Sequence, residues 1–404
     1  MIKISKNDNL VMKICEKYKI QSLVDAENIE GRTVLLRVDF NVPFDEKGAI
    51  VDDFRIRSAI KTINFLLKRG AKVILVSHLG DPNGIDERLS FSSIIRQLED
   101  ILGCNIQLTT SNDLNKIGNE VMRFKIEKNN QELFMLDNIR FFSGEKSNDI
   151  AFAMEFITQL KVDMYVNDAF SVSHREQASL VAIPSLIKES FAGFAMMNEL
   201  EMLESTLGDS FNSNKKITAI IGGKKVKSKL VLLKTLASKV DKLVIVGGMA
   251  NTFLKSRNID IGNSFYEPEM VEIASEINNV MLPVDFIDEN CQATETLKNR
   301  SAYDIGPKSL ELIDTIISQS DLVIWNGPAG IYEDERFAIG SNEIAQSIIK
   351  HNVEAIVGGG DTVAVINKLD TIHNIYISSG GGAFIAWLED QNLPGIRSIT
   401  DPTN

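Results

Sequence analysis

Short apolar runs alternate with helically spaced apolar residues along the first half of the chain. Four of these runs predict β-strands, at residues 34–38, 73–76, 133–136 and 164–166. A helix is predicted between the first two strands by residues at helical spacing, namely Ile56, Ile60, Ile63 and Leu67. Such alternation of strand and helix patterns is typical of α/β folds with parallel sheets.

Four hydrophobic runs in the second half each stop at a cluster of glycines, or of serines and glycines. The runs are 217–221, 243–246, 355–357 and 375–377, and the clusters that follow them are 222–223, 247–248, 358–360 and 378–382. Each cluster precedes a segment of helical character. A strand that ends in glycine and opens a helix lets the backbone approach a ligand and directs free N–H groups towards it. We therefore predict that these strand ends line one anion-binding site, for a nucleotide.

The polar stretch between residues 198 and 207 has apolar side chains at helical spacing. One face would carry Met196, Leu200, Leu203 and Leu207. A chain of 404 residues is long enough for two or three domains, each with its own core. We interpret this helix as the connection between two lobes.

Composition and charge narrow the classes of function. The chain is 44% hydrophobic and 24% charged, as in ordinary globular proteins, and no apolar run approaches membrane-spanning length. The net charge of −12 disfavours binding to nucleic acid or anionic membranes but allows a local basic pocket. Residues 1–30 lack an apolar signal core and the three cysteines are widely spaced, which predicts a cytoplasmic protein with reduced thiols. We expect a monomer whose partners are small molecules.

Charged and polar residues follow the predicted strands of the first half. They are Arg37, Asp39, Asn41, Arg55, His78, Arg140, His174 and Arg175. Because the carboxyl ends of parallel strands line the ligand crevice, these side chains are expected to converge. The guanidinium fork of arginine matches carboxylate and phosphate oxygens, which predicts a small anion carrying both groups. The alternatives are surface ion pairs for any single arginine and a buried structural role for His78.

Six sequence blocks, in order along the chain, resemble phosphoglycerate kinase. They are Arg37–Pro43 (RVDFNVP), Ser77–Gly80 (SHLG), Val166–Phe170 (VNDAF), Asp304–Lys308 (DIGPK), Trp325–Pro328 (WNGP) and Gly358–Thr362 (GGGDT). The heptapeptide is highly specific, whereas a glycine pair alone is not. The resemblance extends from about Gln21 to Pro394, which is nearly the whole chain.

The resemblance implies an α/β fold with two similar-sized Rossmann-like lobes, whose parallel sheets are flanked by helices and which a hinge helix joins. It implies reversible phosphoryl transfer between ATP or ADP and 3-phosphoglycerate or 1,3-bisphosphoglycerate, with Mg²⁺ accompanying the nucleotide and a hinge-bending motion. The expected division is a phosphoglycerate-binding lobe at 1–190, an interdomain helix at 191–207, a nucleotide-binding lobe at 208–384 and a tail at 385–404 that returns to the first lobe.

The resemblance also implies roles for individual residues. Those expected to hold phosphoglycerate are Asp39, Asn41, Arg55, His78, Arg140 and Arg175. Those expected to bind the nucleotide are Gly223, Lys225, Lys229, Gly248, Asn326, Pro328, Glu333, Gly358, Gly359, Gly360, Asp361 and Thr362. Asp361 would also be the metal ligand. The catalytic groups would be Arg55, Lys225 and the backbone at Gly381.

Local patterns leave other interpretations of the nucleotide residues open. Asp361 after a glycine turn is alternatively a helix N-cap, and Glu333 a solvated loop carboxylate. The lysine-rich run 224–229 is alternatively a solvated face. It is not a Walker A loop, because the glycine spacing and the Gly-Lys-Ser/Thr ending are absent. No complete Gly-x-Gly-x-x-Gly is present either, which disfavours a dinucleotide oxidoreductase.

The chain departs from the family pattern at four positions near the expected sites. Asp81 stands in place of an arginine, Asp137 of a glutamate, Lys224 of an alanine and Ser228 of an aspartate. Asp81 reverses a charge beside His78, so we expect weaker phosphoglycerate binding, moderated if Arg88 pairs with Asp81. These changes leave two rivals to an active phosphoglycerate kinase. One is a related kinase for another carboxylic acid, and the other is a non-catalytic nucleotide-binding protein on the same fold.

Overall fold

A computed structural model describes residues 8–45, 47–109, 111–126, 132–208, 210, 214–369 and 373–400. The chain divides into two compact units. The first contains the residues up to Glu204 and those from Asn392 onwards, and the second is Ser205–Gln391. Both units are built on six-stranded sheets in which every paired strand is parallel. The predicted α/β fold with two parallel-sheet units is confirmed.

The sheet of the first unit has the strand order β3-β4-β2-β1-β5-β6. Its strands are β1 (Thr33–Arg37), β2 (Lys72–Val76), β3 (Ile106–Leu108), β4 (Leu133–Met135), β5 (Met164–Asn167) and β6 (Ser190–Ala192). The central strand β1 is entirely buried. Its last residue, Arg37, is in register with Val76 of β2 and Asn167 of β5. The loops that follow these three strands therefore start side by side at one edge of the sheet.

Helices flank this sheet. They are Asp8–Tyr18, Phe54–Lys68, Ile95–Leu102, Leu114–Ile126, Ser143–Lys146, Ile150–Leu160, Ala182–Ser185, Phe194–Leu203 and Pro394–Arg397. Short 3₁₀ turns lie at Leu23–Asp25, Glu87–Leu89, Phe91–Ser93, Ile139–Phe141 and Phe170–Val172. In the helix Phe54–Lys68, Ile56 and Ile63 are buried in the core, and Ile60 and Leu67 pack against it. Its predicted apolar face is confirmed.

The main sheet of the second unit has the strand order β15-β14-β13-β7-β8-β9. The strands of this unit are β7 (Ile217–Ile221), β8 (Lys242–Ile245), β9 (Val280–Met281), β10 (Phe286–Asp288), β11 (Ala293–Thr294), β12 (Ala302–Ile305), β13 (Leu322–Asn326), β14 (Glu354–Gly358) and β15 (Ile375–Ile377). The four predicted strands are β7, β8, β14 and β15. The sequence prediction missed β13, which lies between β14 and β7, the edge strand β9, and the small antiparallel sheet of order β11-β10-β12.

Helices lie between and after the strands of the second unit. They are Leu230–Lys239, Gly248–Ser256, Val271–Glu276, Pro307–Ser318, Ile339–Lys350, Gly360–Ile366 and Gly382–Glu389, with 3₁₀ turns at Lys227–Lys229, Pro268–Met270 and Glu335–Phe337. Three of the helices start directly after glycine clusters, with Gly247, Gly359 and Gly381 at their N-cap positions. All three glycines have positive φ, a conformation that side chains with a Cβ rarely adopt.

The chain passes from the first unit to the second just after the helix Phe194–Leu203. A π-helical turn follows it at Glu204–Gly208. Met196, Leu200 and Leu203 are buried, as their spacing predicts. The expected first lobe ended at 190 and the expected tail began at 385. In the structure the helix Phe194–Leu203 belongs to the first unit, and Gly382–Glu389 belongs to the second.

Among the residues that the structure describes, no helix is long and apolar enough to span a membrane.

Candidate functional site

Arg37 ends the central strand of the first sheet and is completely buried. Its Nε donates to Ser179 Oγ at 2.9 Å, and its Nη1 donates to the carbonyl of Val38. Ser179 in turn donates from both its amide and its hydroxyl to Glu145, each at 2.7 Å. Burial raises the pKa of the Glu145 carboxyl, and the charge of Arg37 opposes that shift. This buried network holds the strand-end loops in place and leaves Arg37 no exposed surface for a ligand.

Asp39 is the buried carboxylate that aligns its neighbours. It lies 3.0 Å from Arg55 Nη1 and accepts hydrogen bonds from the Asn41 amide and the Ser171 hydroxyl. Burial by itself would raise the pKa of Asp39, but the charge of Arg55 and the hydrogen bonds from Ser171 and the Asn41 amide lower it overall. Asp39 therefore stays ionised and fixes the half-buried Arg55 beside the end of β1. Arg55 also donates to the Asn41 carbonyl at 3.0 Å.

His78 follows β2 and is 2% exposed. Its Nδ1 lies 3.9 Å from Asp39 Oδ1 and 3.4 Å from Arg37 Nη2. Burial, with the nearby charges of Arg37, Arg140 and Arg175, holds the pKa of His78 well below its ordinary value, although Asp39 opposes the shift. The imidazole of His78 is therefore neutral. It can donate or accept a hydrogen bond but adds no positive charge to the site.

Arg140 is the most informative side chain of this unit. It is buried, and its Nη1 donates to the Gly80 carbonyl at 2.5 Å. Its Nε and Nη2 have no hydrogen-bond partner in the described part of the chain. Unpaired buried donors on a guanidinium are costly, so they indicate a place for an anion. Arg175 is exposed, and burial and the charge of Arg175 both lower the pKa of Arg140.

Asn41 and Asp137 fix the loops around Arg140. Asn41 Oδ1 accepts from the Gly80 amide at 2.8 Å. Asp137 accepts from the hydroxyl of Ser90 at 2.7 Å and from the amides of Phe91 and Asn138, each at 2.8 Å. Asp137, which stands where the family has a glutamate, therefore still supplies a carboxylate that stabilises the loop.

Asp81 pairs with different cations from the one expected. Its Oδ1 lies 2.7 Å from Lys146 Nζ and 3.4 Å from Arg140 Nη1. The expected pairing with Arg88 is wrong, because Arg88 lies 2.8 Å from Asp86, two residues before it. The sequence analysis missed Lys146, which ends the short helix Ser143–Lys146 that follows Arg140.

The glycine loops of the second unit bond to one another at the carboxyl edge of the sheet. The amide of Gly222 donates to the Asn326 carbonyl at 2.9 Å, and that of Gly223 donates to the Pro328 carbonyl at 3.1 Å. A Cβ on Gly222 would lie 2.2 Å from the Pro328 carbonyl oxygen. The loops after β7 and β13 thus pack too closely for any other residue at this glycine.

Asn326, Thr362 and Lys229 brace these loops from within. Asn326 Nδ2 donates to the Gly358 carbonyl, and Thr362 Oγ1 accepts from the Gly327 amide, both at 2.7 Å. Lys229 Nζ donates to the carbonyls of Gly222 at 2.8 Å and Asn326 at 3.1 Å. Burial lowers the pKa of Lys229 to about 8, with Asp361 opposing the shift. These side chains support the strand ends rather than line the open space beside them.

A cavity of about 390 Å³ opens beside these loops. Five of the predicted nucleotide residues line it: Gly223, Gly248, Pro328, Glu333 and Asp361. Its remaining wall is largely apolar and includes Phe265, Pro283, Phe286, Tyr303 and Ile305. Lys224 also lines it, with Nζ 5.0 Å from the centre of the Phe265 ring. The sequence analysis missed this apolar wall, because it depends on the undetected antiparallel sheet.

The carboxyl of Asp304 also lines the cavity. It is buried and accepts from the amides of Ile305 at 2.8 Å and Gly340 at 2.7 Å. Burial raises its pKa to about 7 in spite of those bonds. The motif containing Asp304 was noticed in the sequence, but its position in this wall was not predicted.

Asp361 is exposed in the first turn of the helix Gly360–Ile366. Its Oδ1 accepts from the Tyr332 hydroxyl at 3.1 Å. The N-cap interpretation is wrong, because Gly359 occupies the N-cap position and no side chain caps the helix. A carboxylate in the first turn is favoured by the helix dipole and remains open to a ligand.

Comparisons with known proteins agree over nearly the whole chain. The family model described as phosphoglycerate kinase matches residues 24–391. The chain belongs to the phosphoglycerate kinase family. It is 37% identical over 404 residues to the phosphoglycerate kinase of Prochlorococcus marinus strain MIT 9312, covering 94% of this chain and 98% of that protein. It is also 37% identical to that of Nostoc sp., covering 95% and 99%.

Solved structures of phosphoglycerate kinases resemble both units. That from Coxiella burnetii has a TM-score of 0.79 at 31% identity and covers 95% of this chain and 100% of its own. That from Pyrococcus horikoshii has a TM-score of 0.77 at 28% identity and covers 94% and 98%. The family resemblance found in the six sequence blocks is thereby confirmed.

Lys225 and Gly381, two of the residues given catalytic roles by the phosphoglycerate kinase resemblance, are accessible. Lys225 is exposed, and its ammonium has no hydrogen-bond or ion-pair partner among the described residues. Ser228 donates to the Lys225 carbonyl at 2.9 Å, so that departure supports the loop. Gly381 has φ of +48° and open space where a Cβ would be. It occupies the N-cap position of the helix Gly382–Glu389, in which the Ala383 amide donates to the Gly380 carbonyl at 2.8 Å.

Proposed function

We propose that this chain is an active, Mg²⁺-dependent phosphoglycerate kinase. It would transfer a phosphoryl group reversibly between ATP and 3-phosphoglycerate, a step of glycolysis. Family membership over residues 24–391 supports this reaction over another kinase or a non-catalytic protein. The single observation that supports it most is the buried Arg140 with two unpaired donors, since a pure structural arginine would have them bonded.

The phosphoglycerate would bind in the first unit around Arg140. The unpaired Nε and Nη2 of Arg140 suit two oxygens of one anionic group. Arg55, held by Asp39, and the exposed Arg175 would supply further positive charge. The neutral His78 and the Asn41 amide group would donate or accept hydrogen bonds at the polar part of the substrate. Asp39 would act by orienting Arg55.

The nucleotide would bind in the cavity of the second unit. Its apolar wall suits a flat base, and the exposed Glu333 suits ribose hydroxyls. The backbone at Gly223 and Gly248, together with the helix that begins at Gly360, would face the phosphates. These loops include Pro328 and Gly358–Gly359. They would be stabilised by the side chains of Lys229, Asn326 and Thr362.

Asp361 is the carboxylate that would hold Mg²⁺ with the nucleotide. Within the described ranges, no group of three His, Cys, Asp or Glu residues could hold a metal ion. A single open carboxylate fits Mg²⁺, which takes one or two carboxylates and completes its shell with phosphate and water. Bound there, Mg²⁺ would neutralise charge on the nucleotide phosphates.

Catalysis would rest on alignment and charge stabilisation, because phosphoryl transfer needs little covalent help. Lys225, exposed beside the glycine loop after β7, would stabilise charge on the transferred group. The backbone amides after Gly381 would act in the same way at a helix N-terminus. Arg55 would neutralise the carboxylate that accepts the phosphoryl group.

A coupled assay with ATP, Mg²⁺ and 3-phosphoglycerate tests the proposal. Turnover that stops on chelation of the metal is the expected result. ATP binding without turnover of 3-phosphoglycerate, but with turnover of another carboxylic acid, would support the related-kinase alternative. Binding without any turnover would support the non-catalytic one. We also propose that the protein is cytoplasmic and monomeric. The three free cysteines support the cytoplasmic location but say nothing about the oligomeric state.

A further inference from the structure

The Arg140 guanidinium contacts an internal carboxylate through Nη1, next to its unpaired donors. Asp81 Oδ1 lies 3.4 Å from Arg140 Nη1 and 2.7 Å from Lys146 Nζ. Lys146 is also anchored by its bond to the Pro82 carbonyl at 2.6 Å. One carboxylate thus touches both a buried arginine and a nearby lysine, while two donors of that arginine remain unpaired.

The backbone around Asp81 is held by hydrogen bonds, whereas its side chain lies at the surface. Gly80 is held through its amide by Asn41 and through its carbonyl by Arg140. Asn138 Nδ2 donates to the preceding carbonyl, that of Leu79, at 2.6 Å. The Asp81 side chain, in contrast, is 73% exposed. Because the carboxylate is already largely hydrated, its ion pair with Lys146 contributes little net stability and it can rotate into water at small cost.

The charges around Arg140 explain why a carboxylate is tolerated there. The charges of Arg37 and Arg175 both act on the Arg140 guanidinium, and burial disfavours its charged form further. Asp81 opposes these effects. An incoming phosphate or carboxylate group would replace that favourable interaction with a stronger one, since it could also bond the unpaired Nε and Nη2.

We propose that Asp81 competes with the substrate for the positive charge of Arg140 and Lys146, and that phosphoglycerate binding at the unpaired Nε and Nη2 displaces its carboxylate. This inference rests on the proposed function. It makes residue 81 a determinant of substrate affinity and assigns Lys146 as a cation of the phosphoglycerate site. Lys146 stays in place through Pro82 when Asp81 moves away.

The test compares Asp81→Asn with the unmodified full-length protein by calorimetric titration of 3-phosphoglycerate and, separately, inorganic phosphate. Asparagine keeps the shape and removes the competing charge. The Kd for both anions should fall about three- to tenfold at low ionic strength, and the gain should shrink in high salt. The KM for ATP should not change. Asp86→Asn is the matched control, because Asp86 lies in the same segment but pairs with Arg88.

Lys146→Met tests the second half of the inference. Removing the lysine leaves Asp81 paired only with Arg140, so the Kd for 3-phosphoglycerate should rise about tenfold. Asp81→Asn should then lower the Kd more in the Lys146→Met background than in the unmodified protein. A merely structural ion pair would instead lower thermal stability in each single variant without this coupling in anion affinity.

Two results would distinguish a failure of the competitor inference from a failure of the proposed function. If the unmodified protein binds 3-phosphoglycerate but Asp81→Asn leaves both Kd values unchanged at low salt, the competitor inference is overturned and the proposed function stands. If the unmodified protein does not bind 3-phosphoglycerate at all, the proposed function fails and the inference falls with it.

Discussion

Single residues decide the chemistry, and Lys225 is the most direct case. Its exposed ammonium would stabilise charge that develops on the transferred phosphoryl group. Lys225→Ala should therefore lower kcat by about two to three orders of magnitude with little change in nucleotide affinity. Steady-state kinetics with 3-phosphoglycerate and ATP measures both. Lys227→Ala, an exposed lysine in the same run, is the control and should behave normally. A near-normal kcat for Lys225→Ala would refute the assigned role.

Asp361 offers a second test at the scale of one side chain. Asp361→Asn keeps an oxygen for the Tyr332 hydroxyl but removes the charge that would face the metal. Affinity for Mg²⁺–ATP should fall about tenfold or more, while 3-phosphoglycerate affinity stays unchanged. With metal chelated, the variant and the unmodified protein should bind ATP alike. Tyr332→Phe removes only the hydrogen bond, and a loss as large as that of Asp361→Asn would indicate a structural role.

At the scale of secondary-structure elements, the buried carboxylate of Asp168 accepts hydrogen bonds from the N-terminus of the helix Phe194–Leu203. Asp168 accepts from the amides of Ala195 at 2.7 Å and Met196 at 3.2 Å. Burial raises the pKa of Asp168 to about 6, although those bonds oppose the shift. Asp168→Ala should destabilise the first unit by about 1–2 kcal/mol at neutral pH through loss of the cap. Chemical denaturation monitored by circular dichroism measures this.

The same carboxyl gives a pH dependence of defined sign. Because its pKa is raised in the folded state, the protonated form contributes stability that is lost as pH rises from about 4 to 6. Asp168→Asn keeps an acceptor but does not titrate. Its stability relative to the unmodified protein should therefore improve between pH 4 and pH 7. A constant difference across that range would show that Asp168 titrates as an ordinary carboxyl.

At the scale of the molecule, the chain completes its first unit with its last described residues. Gly395 donates to the Ser173 carbonyl at 2.8 Å and accepts from Asn167 at 2.9 Å. Leu393, Ile396 and Ile399 are buried. The loop they support also carries Ser171, which bonds Asp39, and Arg175. The C-terminal segment therefore stabilises the unit in which we propose that phosphoglycerate binds.

Truncation after Gln391 should destabilise the first unit by several kcal/mol, since each buried aliphatic side chain contributes about 1.5–3 kcal/mol. Phosphoglycerate affinity should fall sharply and ATP affinity should persist, because the second unit keeps its own core. Calorimetric titration with each ligand measures the two effects. A chain that ends at Thr400 retains these contacts and is the control. Equal loss of both ligands would refute this assignment of the segment.

The pattern of apolar residues predicted most of the strands and the type of fold. Runs such as Ile217–Ile221 announce a buried strand because five consecutive apolar or β-branched residues suit a sheet covered on both faces. The same rule did not single out Leu322–Asn326, which has no glycine pair after it, nor the short antiparallel strands. The antiparallel strands are too short to show an alternation of apolar and polar residues. They are recognised only by the strands with which they pair.

What the sequence alone determined was the kind of residue at each strand end: arginines and a histidine in the first unit, glycines and an aspartate in the second. Strand periodicity and strand-end position are local properties, so they can be recognised without coordinates. The tertiary structure decided which charges meet. Asp81 lies near Arg88 along the chain but pairs with Lys146 and Arg140, because Arg88 is already bound by Asp86 and the loops after β2 and β4 run side by side. Distance through space sets the strength of an ion pair, and only the fold fixes that distance.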